Sequence, residues 1–303
     1  MHLMNFQDLS SQQLSEFVDL GIEVKLNSKK YAKVLEGKSL ALIFQKTSTR
    51  TRVSFEVAMT QLGGHGLFID WRTTNLGLAN IADEVRYLSR NVDGIMARLL
   101  ENADLQKMMA ASRVPVINGC DEKYHPSQAL ADLITMKEKK GKLEGVKLVY
   151  VGVHNNVCNS LIEGCTKTGV KLTTVTPIFN EASRDNELME KAKATGLWKT
   201  TLDLKKAVAD ADFVYTDTWI DMEFFTDPKF ATEKEKRIKL MMPYQINSNL
   251  LKNSEAYIMH DMPIHRGYEI SADAIENPKS VIYEQAENRL YSAKAIILKL
   301  VGA

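Results

Sequence analysis

Residues 44–56 read FQKTSTRTRVSFE, and the fold follows from what this stretch joins. The apolar run Ser39 to Phe44 before it has the length and composition of a buried strand. The pattern after it continues at helical spacing through Ala58 and Met59 to Leu62, then stops at Gly63 and Gly64. The sequence therefore predicts strand, turn and helix, with Ser48 or Thr49 as the N-cap. Arg50 and Arg52 are out of place in that first turn, where free amides and the positive end of the dipole favour acidic side chains. They make sense if an external anion supplies the negative charge. Hydroxyls, amides and a guanidinium would then converge on one phosphate.

Outward from this stretch, strands and helices alternate. Ser10 to Lys25 places Leu14, Phe17, Val18, Gly21 and Ile22 at the spacing of an amphipathic helix. Downstream, HGLFID reads as a strand, Trp71 to Asn80 as a polar loop and Ile81 to Asn91 as a helix. Gly94 to Arg98 is a strand, Asp104 to Ala111 a helix and Val114 to Asn118 a strand. The loop GCDEKYHPSQ then feeds a helix from Pro126 to Lys137. Such alternation implies a parallel sheet wrapped by helices on both faces. KEKKGKLEG, Lys137 to Gly145, is a charged exit from the first domain. A second unit follows, with strands Val146 to Val151, Lys171 to Thr176, Phe213 to Thr216 and Ala256 to His260. Its helices are Val157 to Thr168, Asp185 to Ala194, Leu204 to Ala211 and Glu233 to Leu240. The predicted class is α/β, two doubly wound parallel-sheet domains, with a final helix from Ala286 to Leu300.

Composition narrows the function classes. The 303 residues suffice for two domains, and 39 Lys plus Arg against 38 Asp plus Glu leave no charge excess for nucleic acid or a membrane surface. No apolar run approaches a membrane span, and MHLMNFQDLS lacks the layout of a signal peptide, so the expectation is a soluble cytoplasmic protein. Cys120, Cys158 and Cys165 lack metal-ligand spacing and read as buried or incidental thiols.

Arg98 ends the strand GIMAR at its carboxyl edge, where open α/β sheets place their ligands. The same edge receives YHPSQ. Pro126 suits the first helical turn, leaving His125 just outside it and Gln128 facing the same crevice. With these motifs together, FQKTSTRTRVSFE resembles the carbamoyl phosphate loop of the aspartate and ornithine carbamoyltransferases, and HPSQ resembles the HPCQ or HPTQ of the ornithine branch. The likeness covers nearly the whole chain. It implies transfer of a carbamoyl group from carbamoyl phosphate to the side-chain amine of L-ornithine, giving L-citrulline and phosphate, with no metal or organic cofactor. Residues 1–140 would bind carbamoyl phosphate and 141–285 the acceptor, while the helix in 286–303 crosses back to the first domain.

In that family Ser48, Thr49, Arg50 and Thr51 match the phosphate cradle, and Thr51, Arg98 and His125 match the groups around the carbonyl oxygen. Gln128 and the main-chain carbonyl of Met262 match those that orient the carbamoyl nitrogen, and Arg289, in AENRL, matches the arginine that closes the site. A neighbouring subunit's loop reaches the phosphate in these enzymes, which implies a homotrimer or a multiple of one. The matching loop here, TTNLGLANI, has Asn75 in place of a glutamine and one residue fewer. It could reach the phosphate or only make trimer contacts.

On the acceptor side VGVHNNV resembles VGDGNNV and carries over Asn156, with Asn155 beside it. YTDTW supplies Asp217 for the acceptor's amine. Two departures follow: Asp221, Met222 and Glu223 where ornithine enzymes have SMG, and Asp261 in MHDMP where HCLP is expected. Asp217, Asp221 and Asp261 in one cavity would raise one another's pKa until a cationic ligand or a proton relieves them. That suits ornithine or another cationic amine such as putrescine or a modified ornithine. Asp221 could instead point to solvent. A nucleotide-binding oxidoreductase is disfavoured because the turn VGVHNN has only Gly152. A family member that keeps the fold without catalysis is the remaining alternative.

Overall fold

The computed structural model describes residues 1–220 and 228–302. Helix α1 (Ser11–Leu26) starts with a capping box, Ser10 Oγ accepting from the Gln13 amide and Gln13 Oε1 accepting from the Ser10 amide. A single turn, α2 (Ser28–Tyr31), precedes the first sheet. That sheet is built from β1 (Ser39–Phe44), α3 (Thr49–Gln61), β2 (His65–Asp70), α4 (Ile81–Leu88), β3 (Gly94–Arg98), α5 (Asn102–Ala111) and β4 (Val116–Cys120). Its order is β2-β1-β3-β4, all parallel. The chain winds to one side of β1 and then to the other, so the carboxyl ends of β1 and β3 flank a crevice at the switch point.

The second sheet comprises β5 (Lys147–His154), α7 (Asn156–Thr168), β6 (Lys171–Phe179), α8 (Asn186–Ala194), β7 (Trp198–Thr200), α9 (Leu204–Val208), β8 (Phe213–Thr216) and β9 (Tyr257–His260). The order β7-β6-β5-β8-β9 is again all parallel, and its switch point lies between β5 and β8. The helix α10 (Ala231–Met241) buries Met241 with Trp219 and Ile220, while the short helices α11 (Ser248–Leu251) and α12 (Ala272–Ile275) share a core with Ile258 of β9. Two elements bring the sheets together. Helix α6 (Pro126–Lys140) is buried continuously from Pro126 to Met136, because α1, α7 and the last helix α13 (Ile282–Leu300) cover it on all sides. Helix α13 also packs on α3 and α1, crossing back to the first sheet as the resemblance implies.

Several boundaries differ from the sequence reading. β4 begins at Val116 and not Val114, because Pro115 has no amide and the Ser112 hydroxyl binds the Val114 main chain. Leu3 then pairs along this edge, donating to Val116 and accepting from Asn118. Helix α9 ends at Val208 and not Ala211, since the chain must straighten for Asp212 N to meet Lys147 O at the head of β8. Helix α13 starts a turn early, at Ile282, and β7 has no counterpart in the sequence reading. The cysteines are buried and unpaired, Cys158 and Cys165 both on α7.

One interdomain contact has a pH signature. Glu163 on α7 is almost fully buried and accepts the Phe6 amide at 3.0 Å, while its other oxygen has no partner. Burial pushes its pKa up to about 8. The folded pKa lies above the unfolded value of 4.5, so the folded state binds more protons between the two and stability falls as pH rises through that window. Glu163→Gln keeps an acceptor for Phe6 without the titration. It is expected to stabilise the protein at about pH 8 to 9 by on the order of 1–3 kcal/mol, with far less effect near pH 5. Urea melts at both pH values test this, and equal effects at both would contradict it.

Candidate active site

The first half-site forms where β1 and β3 end. Ser48 is the N-cap of α3, accepting the Thr51 amide at 3.3 Å, and loss of such a cap costs about 1 kcal/mol. Arg50 and Arg52 then part company, because residues two apart on a helix face opposite ways. Arg52 turns outward, bonded to Glu56 at 3.1 Å and stacked on Phe68 at 3.5 Å. Arg50 turns inward. Its pKa is lowered by burial, held up by the charges of Asp261 and Asp217, and lowered further by Arg98.

Buried Thr51 joins the cluster. Its Oγ1 accepts from Arg289 Nη2 at 2.8 Å and from Arg98 Nη1 at 3.4 Å. Arg98 Nε is buried without a partner. Arg289, on α13, donates through Nη1 to Gln128 Oε1 and lies 3.5 Å from His125 Nε2. Burial and the charges of Arg50 and Arg98 bring its pKa down to about 10. Three mutually repelling guanidiniums beside free hydroxyls suit a dianion, which would relieve the repulsion.

His125 is held by its loop. Asp121 Oδ1 accepts the amides of Lys123 and Tyr124 at 2.8 and 2.7 Å, folding the turn that precedes it. The second domain fastens this turn from outside. Asn156 Nδ2 donates to Asp121 O at 2.6 Å, Asn159 Nδ2 to Lys123 O at 3.0 Å, and Ser183 Oγ to Glu122 O at 2.6 Å. Ser160 Oγ accepts the His125 amide at 2.8 Å. Burial, then Arg289, Arg98 and Arg50, drive the imidazole's pKa well below its ordinary value. The ring is therefore neutral, able to donate to a growing oxyanion without starting as a cation.

The second half-site forms at the other switch point. Asn155 caps α7 and donates to Asp217 Oδ2 at 2.7 Å, and the Tyr150 hydroxyl, which donates to Val153 O at 3.0 Å, lies 3.4 Å from the same oxygen. Asp217 Oδ1 accepts the Thr218 amide at 2.6 Å. Burial raises the pKa of Asp217 well above the carboxylate range, and Asp261, hydrogen-bonded to it, raises it further. Asp217 is thereby disposed to keep its proton until a cationic ligand relieves it. Here Asn155 holds Asp217, and Asn156 bonds across to the first-domain turn.

Beyond β9, His260 Nε2 meets Glu269 Oε1 at 3.0 Å, and its Nδ1 lies 3.4 Å from Asp261 Oδ1. Burial lowers its pKa, but Asp261 and Glu269 outweigh this and push it up to about 9. That value asks for a proton on Nδ1, whereas the Met262 amide donates to Nδ1 at 2.8 Å and needs a lone pair there. The short contact fixes the ring as neutral, because two donors facing each other at that distance would repel. Met262 has φ +62°, uncommon for a residue with a side chain.

The structure thus brings together Ser48, Arg50, Thr51, Arg98, His125, Gln128 and Arg289, with Asp217 and Asp261 within electrostatic reach of Arg50. Thr49 is exposed on the first turn of α3, and Asn75 is exposed on a short 3-10 turn, away from these contacts. Asp221 and Met222 lie outside the described residues. Sequence reasoning passed over Asp132, Tyr150, His260 and Gln285, and placed Glu269 in the family pattern without giving it a role. Asp132 and Gln285 could have been found, since each lies four residues from a candidate on the same helix face, Gln128 and Arg289.

Two family models span the chain. Residues 1–138 match the carbamoyl-P binding domain of aspartate/ornithine carbamoyltransferase, and residues 144–300 match its Asp/Orn binding domain. The ornithine carbamoyltransferase of Archaeoglobus fulgidus is 42% identical over 309 residues, covering 99% of this chain and 97% of that protein. The solved ornithine carbamoyltransferase of Pyrococcus furiosus superposes with a TM-score of 0.91 at 41% identity, covering 100% of this chain and 97% of that one. That of Thermus thermophilus gives 0.87 at 36% identity, with 99% and 98% covered. Matched over both domains, the chain belongs to the aspartate/ornithine carbamoyltransferase family.

Proposed function

We propose that the protein is an ornithine carbamoyltransferase, moving the carbamoyl group of carbamoyl phosphate to the side-chain amine of L-ornithine and releasing L-citrulline and phosphate. The observation that carries this is the facing of two half-sites: a guanidinium cluster at one switch point and the Asp217–Asp261 pair at the other, with Arg50 feeling both. Residues 1–140 with the last helix hold carbamoyl phosphate, and 141–285 hold the acceptor. The phosphate lies against Ser48, Thr49, Arg50 and Thr51. Arg98, neutral His125 and Thr51 stabilise charge on the carbonyl oxygen as the amine attacks, and Arg289 screens the departing phosphate. Gln128 Oε1 and the Met262 carbonyl accept from the carbamoyl nitrogen. Asp217, relieved of its proton, receives the acceptor's amine, and Asn156 leaves Asp121 O to hold the amino acid's backbone end. Asp221 and Met222, which lie outside the described residues, are proposed as further acceptor-binding residues.

A second reading, an amine without a carboxylate such as putrescine, is favoured by Asp261 alone, because a second carboxylate repels an acceptor's own. The deciding assay offers carbamoyl phosphate with ornithine, putrescine, lysine, N-acylated ornithine and aspartate, and scores carbamoylated product. Citrulline as the main product supports the proposal, and no product from any acceptor would sink it.

The enzyme is further proposed to be a cytoplasmic homotrimer or a multiple of one, with Asn75 completing a neighbour's site. What supports this is that Asn75 is exposed on its own subunit. Among the described residues no helix is long and apolar enough to cross a membrane. Mixing Asn75→Ala subunits with Arg50→Ala subunits is expected to restore part of the activity, since some sites in hybrids then carry neither change. No recovery from two inactive parents, with mixing verified, would mean the loop does not cross.

A further inference from the structure

A buried chain of hydrogen bonds runs behind the site, and its polarity is fixed at both ends. At one end the His260 amide donates to Gln285 Oε1 at 2.8 Å. A main-chain N–H can only donate, so Gln285 must present its oxygen there and its amide nitrogen the other way. That nitrogen donates to Asp132 Oδ1 at 2.7 Å. At the other end Arg289, also donor only, bonds Gln128 Oε1, so the Gln128 nitrogen faces inward and donates to the same Asp132 Oδ1 at 2.8 Å. Two amide donors therefore converge from opposite directions on one oxygen. Only an acceptor can stand between them.

All four side chains or amides are inaccessible: Gln128, Asp132, His260 and Gln285 are fully buried. A glutamine amide is nearly symmetric in shape, so packing alone does not choose which end of Gln128 faces the crevice. We propose that Asp132 is the positioning residue that keeps Gln128 with its oxygen toward the reaction centre once Arg289 turns to the phosphate, and that through Gln285 it ties this choice to the strand end that precedes Asp261. A reversed Gln128 would turn N–H groups toward the carbamoyl nitrogen, itself a donor, and toward Arg289. The inference rests on the carbamoyl-transfer reading of the site.

Acceptance, and not charge, is what the geometry requires. Burial pushes the Asp132 carboxyl up to about 7, against the two amide donations that lower it. Its Oδ2 has no partner, so a proton there leaves Oδ1 free to accept both amides. Asp132→Asn likewise can keep Oδ1 in place, because the His260 amide holds Gln285, and Gln285 then holds the asparagine oxygen. Asp132→Leu keeps the branched shape, with bulkier methyl groups, and has no acceptor.

The test measures kcat and KM for both substrates, and the Kd of inorganic phosphate, in the purified native and variant proteins. Asp132→Leu is expected to lose about tenfold or more in kcat with phosphate Kd within about threefold of native, since the cradle does not use the Gln128 amide. Asp132→Asn is expected to stay within about threefold in kcat. If Asp132→Leu fails to fold, Asp132→Ser, which fits the space but falls short of the glutamines, should show the same split. A folded Leu or Ser variant with native kcat overturns the proposal. So does an asparagine variant as impaired as the leucine one, or a loss in kcat matched by the loss in phosphate affinity. Native protein that makes no carbamoylated product would overturn the function itself, a distinct result.

Discussion

Arg50→Ala and Arg98→Ala are each expected to abolish most carbamoyl transfer while leaving the protein folded. Both guanidiniums belong to a cluster whose members repel one another, and burial first, then the neighbouring guanidiniums, lower the pKa values of Arg50 and Arg289. Such groups strain the folded state unless an anion joins them, so removing one should not destabilise and should even relieve the unliganded protein. The loss falls on the transition state, where phosphate departs and the carbonyl oxygen gains charge. Removing one preorganised, charge-assisted contact from a dry site costs on the order of 2 to 4 kcal/mol, or about 30-fold to 1000-fold in rate. Arg98 is the sharper case, because among the described residues its buried Nε has no partner, and its Nη1 donates to Thr51 at 3.4 Å. Steady-state kinetics with a melting curve for each variant decides the matter. Near-normal turnover in either would remove that residue from the site, and collapse of the fold would make it structural.

The contrast with Arg52 shows where sequence reasoning reached and where it stopped. The strand, Ser48 cap and α3 were legible because an apolar run, a hydroxyl and helical spacing agree, and local signals of that kind need no partner to be read. Two arginines in one turn looked alike. Their different fates follow from helix geometry, but the partners that settle them, Phe68 and Glu56 for Arg52 and the acceptor-side carboxylates for Arg50, come from elsewhere in the chain. Strand β7 escaped for a related reason: three residues at a sheet edge, Trp198 to Thr200, alternate too briefly to stand out. The polar chain through Asp132 was hidden more deeply. A buried aspartate within ALADLITM reads as a helix surface residue until α13 is known to cover that face, and that contact joins residues more than 150 apart.

Asp261→Cys is expected to move the enzyme toward ornithine. In the native protein burial, and after it the charge of Asp261, hold the Asp217 carboxyl well above the ordinary carboxylate range. A diamine can satisfy such a pair without cost, whereas ornithine brings a carboxylate of its own into the same field. A thiol in place of Asp261 removes the like charge, so the Asp217 pKa should fall toward the ordinary carboxylate range. The sign for catalysis follows. Asp217 then stays ionised to lower pH, and the acidic limb of kcat/KM for ornithine should shift down by about one pH unit. At the same time one attraction for a second ammonium is lost, so putrescine binding weakens. The ornithine to putrescine ratio of kcat/KM should rise by about tenfold, near 1.4 kcal/mol. Measuring both acceptors across about pH 6 to 9, with folding and assembly checked, tests the shift and the ratio together. A moved limb with an unchanged ratio would mean that Asp261 tunes Asp217 without reading the acceptor. Selectivity would then lie elsewhere in the acceptor site, and Asp221, outside the described residues, becomes the next variant to measure.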